Sequence, residues 1–266
     1  RPPRPPFSFP ALRPAPEPAQ IGAGEEAAVR GERLIGLDIL RTAALVSMVA
    51  YHFTYDLDLF GLIPRNTATT GFFWWHARAT AGTFIFLAGL SLWLAHGAGI
   101  RWPAFWKRFA KIAAAAALVS VATHFTLPGL TVFYGILHSI AVSSVVALAV
   151  LRLPAALTLA LAAAAFALPL VFRDPAFDGA LVWTGLGTVP PVTADFLPLF
   201  PWIAPMLAGV AAGRLMSRLA LWPRLALAPS RLARALAWPG RHTLAIYLIH
   251  QPLMIGAFNL WFMLHG

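Results

Sequence analysis

The chain has 266 residues, of which 59% are hydrophobic and 11% charged, with a mean hydropathy of +0.71. A soluble globular domain is about a quarter charged, so that class is excluded. Lys and Arg number 20 against 10 Asp and Glu, a formal charge of +10. In so apolar a chain basic residues are first topology signals, and no nucleic-acid partner is expected. The absence of cysteine excludes disulfides, thiolate metal sites and a thiol nucleophile.

Residues 1–33 are crowded with Pro, Ala, Arg and Glu and show no apolar period. Such a segment cannot bury enough surface to offset its chain entropy, so it reads as a disordered, Pro-rich cytoplasmic tail. A proline-rich ligand for some partner is the alternative. No apolar core follows the first basic residues, so no cleavable leader is expected.

Residues 34–266 read as one membrane domain. A hydrocarbon core about 30 Å thick needs about 20 apolar residues per helix. Seven stretches qualify, near 35–56, 73–96, 105–124, 131–151, 154–172, 197–217 and 241–264. Proline or glycine punctuates the joins, as at Pro64, Pro103, Pro128-Gly129, Pro154, Pro190-Pro191 and Pro239-Gly240. The expectation is an all-α polytopic bundle of seven transmembrane helices.

Basic residues divide by alternate loops. The tail, the 97–111 loop, the turn at Arg152 and the 214–241 segment hold most of them, whereas the opposite loops hold only Arg65 and Arg173. The positive-inside rule therefore puts the N terminus in the cytoplasm and the C terminus outside. Within the basic side, residues 217–238 set Arg218, Arg224, Arg231 and Arg234 among Leu, Ala and Trp. That pattern predicts an interfacial amphipathic segment on an anionic leaflet, with a phosphorylated cofactor as the sharper alternative for some arginines.

Ionisable groups inside a span cost about 2.5–3.5 kcal/mol each on insertion scales, so each needs a partner or a purpose. The first span carries Asp38, Arg41, His52 and Asp56. Arg41, Leu45, Met48, His52 and Asp56 recur at three- and four-residue steps, so they share a face that must look into the bundle. Asp38 and Arg41 fall near its cytoplasmic end, His52 and Asp56 near its outer end. His76, His124, His138 and Asp195 also fall on the outer side, and His250 sits near the middle of the last span. His96, His242 and His265, at helix ends, read as interfacial, and His124 as either a cap or a site residue. Trp74, Trp75, Trp183, Trp202 and Trp261 suit an aromatic belt, and Pro201 and Pro205 mark a kinked sixth span.

A neutral imidazole is the usual general base near neutral pH, and Asp56 would orient His52. Two outer histidines beside a watery cavity suit deprotonation of an acceptor hydroxyl or amine, and the cytoplasmic arginines suit a phosphate-bearing donor. A proton-relaying transporter or channel remains an alternative class. So does a bis-histidine haem protein, although Pro128-Gly129 separates His124 from His138 and would force ligands onto different helices. Lys107 and Lys111 both lie on the cytoplasmic side, which argues against a retinal protein. No HExxH, Gly-rich phosphate loop or serine-elbow motif occurs, and no metal site is expected.

Five stretches in order carry a resemblance: GLDILRTAALVSMVAYHFTYDLDLFG at 36–61, HARATAGTFIFLAGLSLWLA at 76–95, HFTLPGLTVFYGILHSIAVSS at 124–144, DFLPLFPWIAPMLAGVAAGRL at 195–215 and GRHTLAIYLIHQPLM at 240–254. Together they are similar to the bacterial branch of the heparan-α-glucosaminide N-acetyltransferase catalytic-domain family. The opening Asp38, Arg41 and His52 also resemble the wider membrane acyltransferases that decorate cell-surface glycans.

The resemblance implies an acyl-CoA donor, normally acetyl-CoA, bound from the cytoplasm with its acyl group reaching an outward site. It implies a catalytic histidine at the start of the second helix, which falls on His76. The sugar-acetylating members carry asparagine where His52 aligns, so the acceptor here is an amino sugar, a sugar hydroxyl or another group.

These readings together describe an integral membrane acyltransferase of the bacterial inner membrane. Acetyl-CoA is its donor, a sugar or glycan outside is its acceptor, and the bilayer is its surroundings; assembly into a homo-oligomer is compatible with the sequence. His76, His52 and Asp56 are the candidate catalytic residues. Asp38, Arg41 and Arg78 are the candidates for the donor, and His138, Asp195, His124 and His250 for the acceptor.

Overall fold

The computed structural model describes residues 34–265. The tail expected at 1–33 lies outside the described residues. These form helices joined by short connections and 3₁₀ turns, with a single isolated bridge, Tyr134 to Phe196, in place of any sheet.

Eight helices follow in chain order: α1 (Ile35–Leu59), α2 (Gly71–His96), α3 (Trp102–Thr126), α4 (Ile136–Val150), α5 (Ala155–Val171), α6 (Leu199–Arg218), α7 (Arg231–Arg241) and α8 (Thr243–His265). Among the described residues, α1, α2, α3, α6 and α8 are long and apolar enough to cross a membrane, by length and composition. The stretches expected at 131–151 and 154–172 are helices of 15 and 17 residues, shorter than those five.

The fourth stretch is shortened from its start. Helix α4 begins at Ile136, not near residue 131. Residues 130–134 run extended beside 194–197, where the Ala194 N–H donates to the Leu130 carbonyl at 3.0 Å and the Leu197 N–H to the Tyr134 carbonyl at 3.2 Å. A backbone already paired across this strip cannot begin the helical ladder.

Helix α6 is the centre of the bundle. It packs against α2, α4 and α5, and Met206, Leu207, Val210 and Ala211 are buried there. Glycine sets the α2–α6 spacing: a Cβ on Gly89 would run into the Met206 backbone, and one on Gly209 into the Phe86 carbonyl. Small residues at a crossing allow backbones this close, which is a main source of helix association in lipid. The expected bend of α6 lies at its start, where Phe200 has extended dihedrals between Leu199 and Pro201.

The basic segment at 217–238 divides into a 3₁₀ turn at Trp222–Leu225 and helix α7, whose start is capped by the Ser230 hydroxyl accepting from the Ala233 N–H at 3.0 Å. Ala237 and Gly240 are buried against α1, while Leu232, Leu236 and Trp238 are exposed beside Arg231 and Arg234. Thr42 of α1 joins the two helices. Its hydroxyl donates to the Leu236 carbonyl at 2.6 Å and accepts from the Gly240 N–H at 2.9 Å.

Candidate active site at the two ends of helix α1

Helix α1 carries one polar cluster near its start, on Asp38, and another along its second half, from Ser47 to Asp56. The step of 14 positions from Asp38 to His52 corresponds to about 21 Å at 1.5 Å per residue.

At the first end Asp38 is buried and 2% exposed. Its carboxylate pairs with Arg41 at 2.7 Å and lies 3.4 Å from Arg241, the last residue of α7. Arg41 also donates to the Ser91 hydroxyl of α2 at 2.7 Å. Two guanidiniums thus share one carboxylate in a partly desolvated place.

At the second end, two faces of α1 meet different neighbours. Towards α2, the Ser47 hydroxyl lies 2.8 Å from His76 Nε2 and 2.6 Å from the Thr80 hydroxyl. A hydroxyl chain of this kind runs in either direction, so it accommodates His76 protonated at Nδ1 or at Nε2. Nδ1 of His76 is buried without a hydrogen-bond partner.

Towards α8, His52 packs edge-on against His250 with ring centroids 4.9 Å apart. His250 Nδ1 lies 2.7 Å from the Tyr247 carbonyl. A carbonyl has no proton, so Nδ1 is the donor and the neutral ring leaves its lone pair on Nε2. That Nε2 is buried and has no hydrogen-bond partner among the described residues, as is the case for Nδ1 of His52. Tyr51 bridges the two faces, with its ring 5.5 Å from His52 and 6.1 Å from His76.

Asp56 does not orient His52. It is fully buried, its Oδ1 accepts from the Gln251 side chain at 2.6 Å, and its Oδ2 has no partner among the described residues. The two side chains are one turn apart on α1, but α8 supplies a donor that turns the carboxylate towards itself. Buried polar atoms are nearly always paired, so unpaired atoms on His52, Asp56, His76, His250 and Gln251 are the unusual feature of this region.

The remaining candidates separate. Arg78 is exposed, stacks on Trp74 at 3.4 Å, and lies 13 residues along α2 from the Ser91 that Arg41 reaches, so it does not join the Asp38–Arg41 cluster. His138 is committed to the start of α4. Its Nδ1 accepts the Gly135 N–H at 3.2 Å and its Nε2 lies 3.3 Å from the Ser120 hydroxyl, which donates to the Val132 carbonyl. His124 is exposed at the end of α3, 3.3 Å from the Thr131 hydroxyl.

Asp195 accepts the Ile136 N–H at 3.0 Å and so caps α4 from a distant part of the chain. Burial pushes its carboxyl up to about 6, against the opposing pull of that N–H. Its charge also acts on Tyr51 and Tyr247, which puts it beside the imidazole cluster.

Sequence reasoning did not single out Ser47, Tyr51, Thr80, Ser91, Tyr247, Gln251 or Arg241 as a site. The usable signal was polar side chains inside apolar runs, such as Ser47 one turn before Tyr51 and Gln251 next to His250. Among the described residues no group of three or more His, Cys, Asp or Glu is placed to hold a metal ion.

These features define a helical membrane protein with an arginine–carboxylate cluster at one end of α1 and three imidazoles at the other. The model of the family described as heparan-alpha-glucosaminide N-acetyltransferase, catalytic, matches residues 33–252. The chain belongs to that family, and its activity is of the membrane acetyltransferase type. No curated protein and no solved structure matches it.

Proposed function

We propose that this protein carries an acetyl group from acetyl-CoA on the cytoplasmic side to an amino or hydroxyl group of a sugar on the outer side. The observation that supports this reading best is the division of polar groups along α1. A thioester donor with a phosphorylated, nucleotide-bearing tail needs cations at one end and proton-transfer groups at the other. The 14-position step from Asp38 to His52, about 21 Å, suits an extended pantetheine arm. All seven apolar stretches cross the membrane in this reading, with the N terminus inside and the C terminus outside, in the inner membrane of a bacterium. The paired extended strip at 130–134 and 194–197 makes up the length that α4 lacks.

In the reaction, the acceptor nitrogen or oxygen attacks the acetyl carbonyl and the C–S bond breaks. The acceptor proton passes to an imidazole, and the CoA thiolate leaves and takes up a proton. His76, steadied by the Ser47–Thr80 hydroxyls, is the first general base. His250 presents a bare Nε2 with His52 packed against it, so this pair can take the acceptor proton on from His76 and then give that same proton to the leaving thiolate. Asp56, held by Gln251, positions α8 against α1, and Asp195 lies beside the cluster where an acceptor enters.

The test is purification into lipid nanodiscs with radiolabelled acetyl-CoA and a panel of amino sugars and neutral glycans. Loss of one general base costs about 10²–10⁴ in rate, so His76→Ala and His250→Ala each reduce turnover by that amount while acetyl-CoA still binds. Full turnover in both variants would refute the site, and failure of the wild type to bind acetyl-CoA would refute the donor.

A further inference from the structure

Arg108 is a charged side chain without a counter-ion among the described residues. It stands in the second turn of α3, where Phe105, Phe109 and Ile112 of α3 and Ala141 and Ser144 of α4 surround a recess beside it. It makes no hydrogen bond and has no carboxylate partner among the described residues, whose ion pairs are those of Asp38 with Arg41 and Arg241. The groups whose charge acts with it are themselves basic. The guanidinium feels Arg41 of α1, and His96 at the end of α2 feels both Arg108 and Arg101.

Placing like charges together in a partly apolar wall is unfavourable on its own. Removing a counter-ion from a buried charge costs several times what an exposed charge costs. A guanidinium in that position becomes favourable when an anion bridges it to its neighbour, and its planar fork suits phosphate. The recess admits no more than about one water molecule, so such an anion sits at its mouth, between α3 and Arg41.

We propose that Arg108, together with Arg41, grips a phosphate group of the acyl donor, near the end of α2 where His96 packs on Phe105 of α3 at 5.9 Å. This rests on the acyl-CoA reading above and assigns the donor's phosphate to a residue outside the Asp38–Arg41 pair. Arg41 is already oriented by Asp38 and Ser91, so it offers a fixed edge, and Arg108 supplies a charge that no carboxylate among the described residues balances. The phosphate of a lipid headgroup carries the same chemistry, and the test separates the two sources.

The experiment measures binding of CoA, dephospho-CoA and pantetheine to the full chain in nanodiscs of zwitterionic lipid at low ionic strength. Wild type is compared with Arg108→Gln and Arg108→Lys, and the ligand-free melting temperature of each is recorded. Arg108→Gln weakens CoA about tenfold or more, the size of one lost charge-assisted phosphate contact. It leaves pantetheine, which has no phosphate, unchanged, and Arg108→Lys falls between. The ligand-free Arg108→Gln protein melts no lower than wild type, because the substitution removes an unbalanced charge and breaks no bond.

Equal CoA binding by Arg108→Gln and wild type overturns the assignment. So does equal weakening of CoA and pantetheine, or a lowered melting temperature, either of which marks a structural role. Loss of co-purified anionic lipid from Arg108→Gln with CoA binding intact assigns the site to a headgroup instead. If wild type binds neither CoA nor pantetheine, the acyl-CoA reading itself fails and this assignment falls with it.

Discussion

Substituting alanine for Gly209 tests the packing that positions both ends of α1, because α2 touches α1 along one face and α6 along another. At Gly209 an added methyl meets the Phe86 carbonyl and the Leu90 amide of α2, and at Gly89 it meets the Met206 backbone. These are helix backbone atoms and cannot rotate aside, so the helices themselves must part. Overpacking of this kind costs about 1–3 kcal/mol, and alanine returns up to about 1 kcal/mol through helix propensity.

The structure supplies its own control at Gly82, on the same helix as Gly89. A Cβ there meets only the Pro205 ring at 3.9 Å, an ordinary contact. Gly82→Ala therefore gains propensity without a collision. Each kcal/mol moves the melting temperature of a chain this size by about 2–4 °C. Thermal unfolding of the purified protein in one detergent should then place Gly209→Ala about 2–12 °C below Gly82→Ala. Equal melting temperatures for the two variants would refute the close α2–α6 crossing.

Two further outcomes follow from the geometry. Thr42→Val removes both hydrogen bonds that tie α7 to α1 and leaves the Gly240 N–H without its acceptor, a loss of about 1–3 kcal/mol. Amide hydrogen exchange in α7 should speed up about tenfold or more, and unchanged exchange would show that α7 is held by other contacts. Asp195 titrates near 6 in the folded chain and near 3.9 when unfolded, so folding favours its protonated form. Its contribution to stability is complete below about pH 4 and is lost as pH rises through 6. Asp195→Asn should flatten the fall in melting temperature between pH 4.5 and 7. Asp178, held low by the Val189 N–H and Thr188, titrates below that window.

How much was legible in the sequence differs between fold and site. The apolar runs located every long helix, because in lipid each backbone polar group must be satisfied within its own segment and only a helix does this. The start of α4 was not legible, since the pairing of 130–134 with 194–197 joins residues more than sixty apart. The shared face of Arg41, Leu45, Met48, His52 and Asp56 was readable from spacing, and Leu45, Met48 and Asp56 are indeed buried.

Which partner each polar group finds on that face was not readable. Spacing along α1 offered Asp56 to His52, but the Gln251 amide of α8 takes that carboxylate. The pairing of His52 with His250, and of His76 with Ser47, needed the positions of α8 and α2. His138 and Asp195 looked free in sequence and are occupied in the fold, both at the start of α4.

By itself, then, the sequence determined the membrane class, the helical architecture, the family and the presence of titratable groups where hydrocarbon should be. The family rests on the resemblance of five stretches in order, and the others on composition or on periodicity within one segment. Tertiary structure decided that the groups gather into two clusters along α1, and that Arg108 has no carboxylate partner among the described residues. Those outcomes depend on distances between segments, which a one-dimensional pattern does not contain.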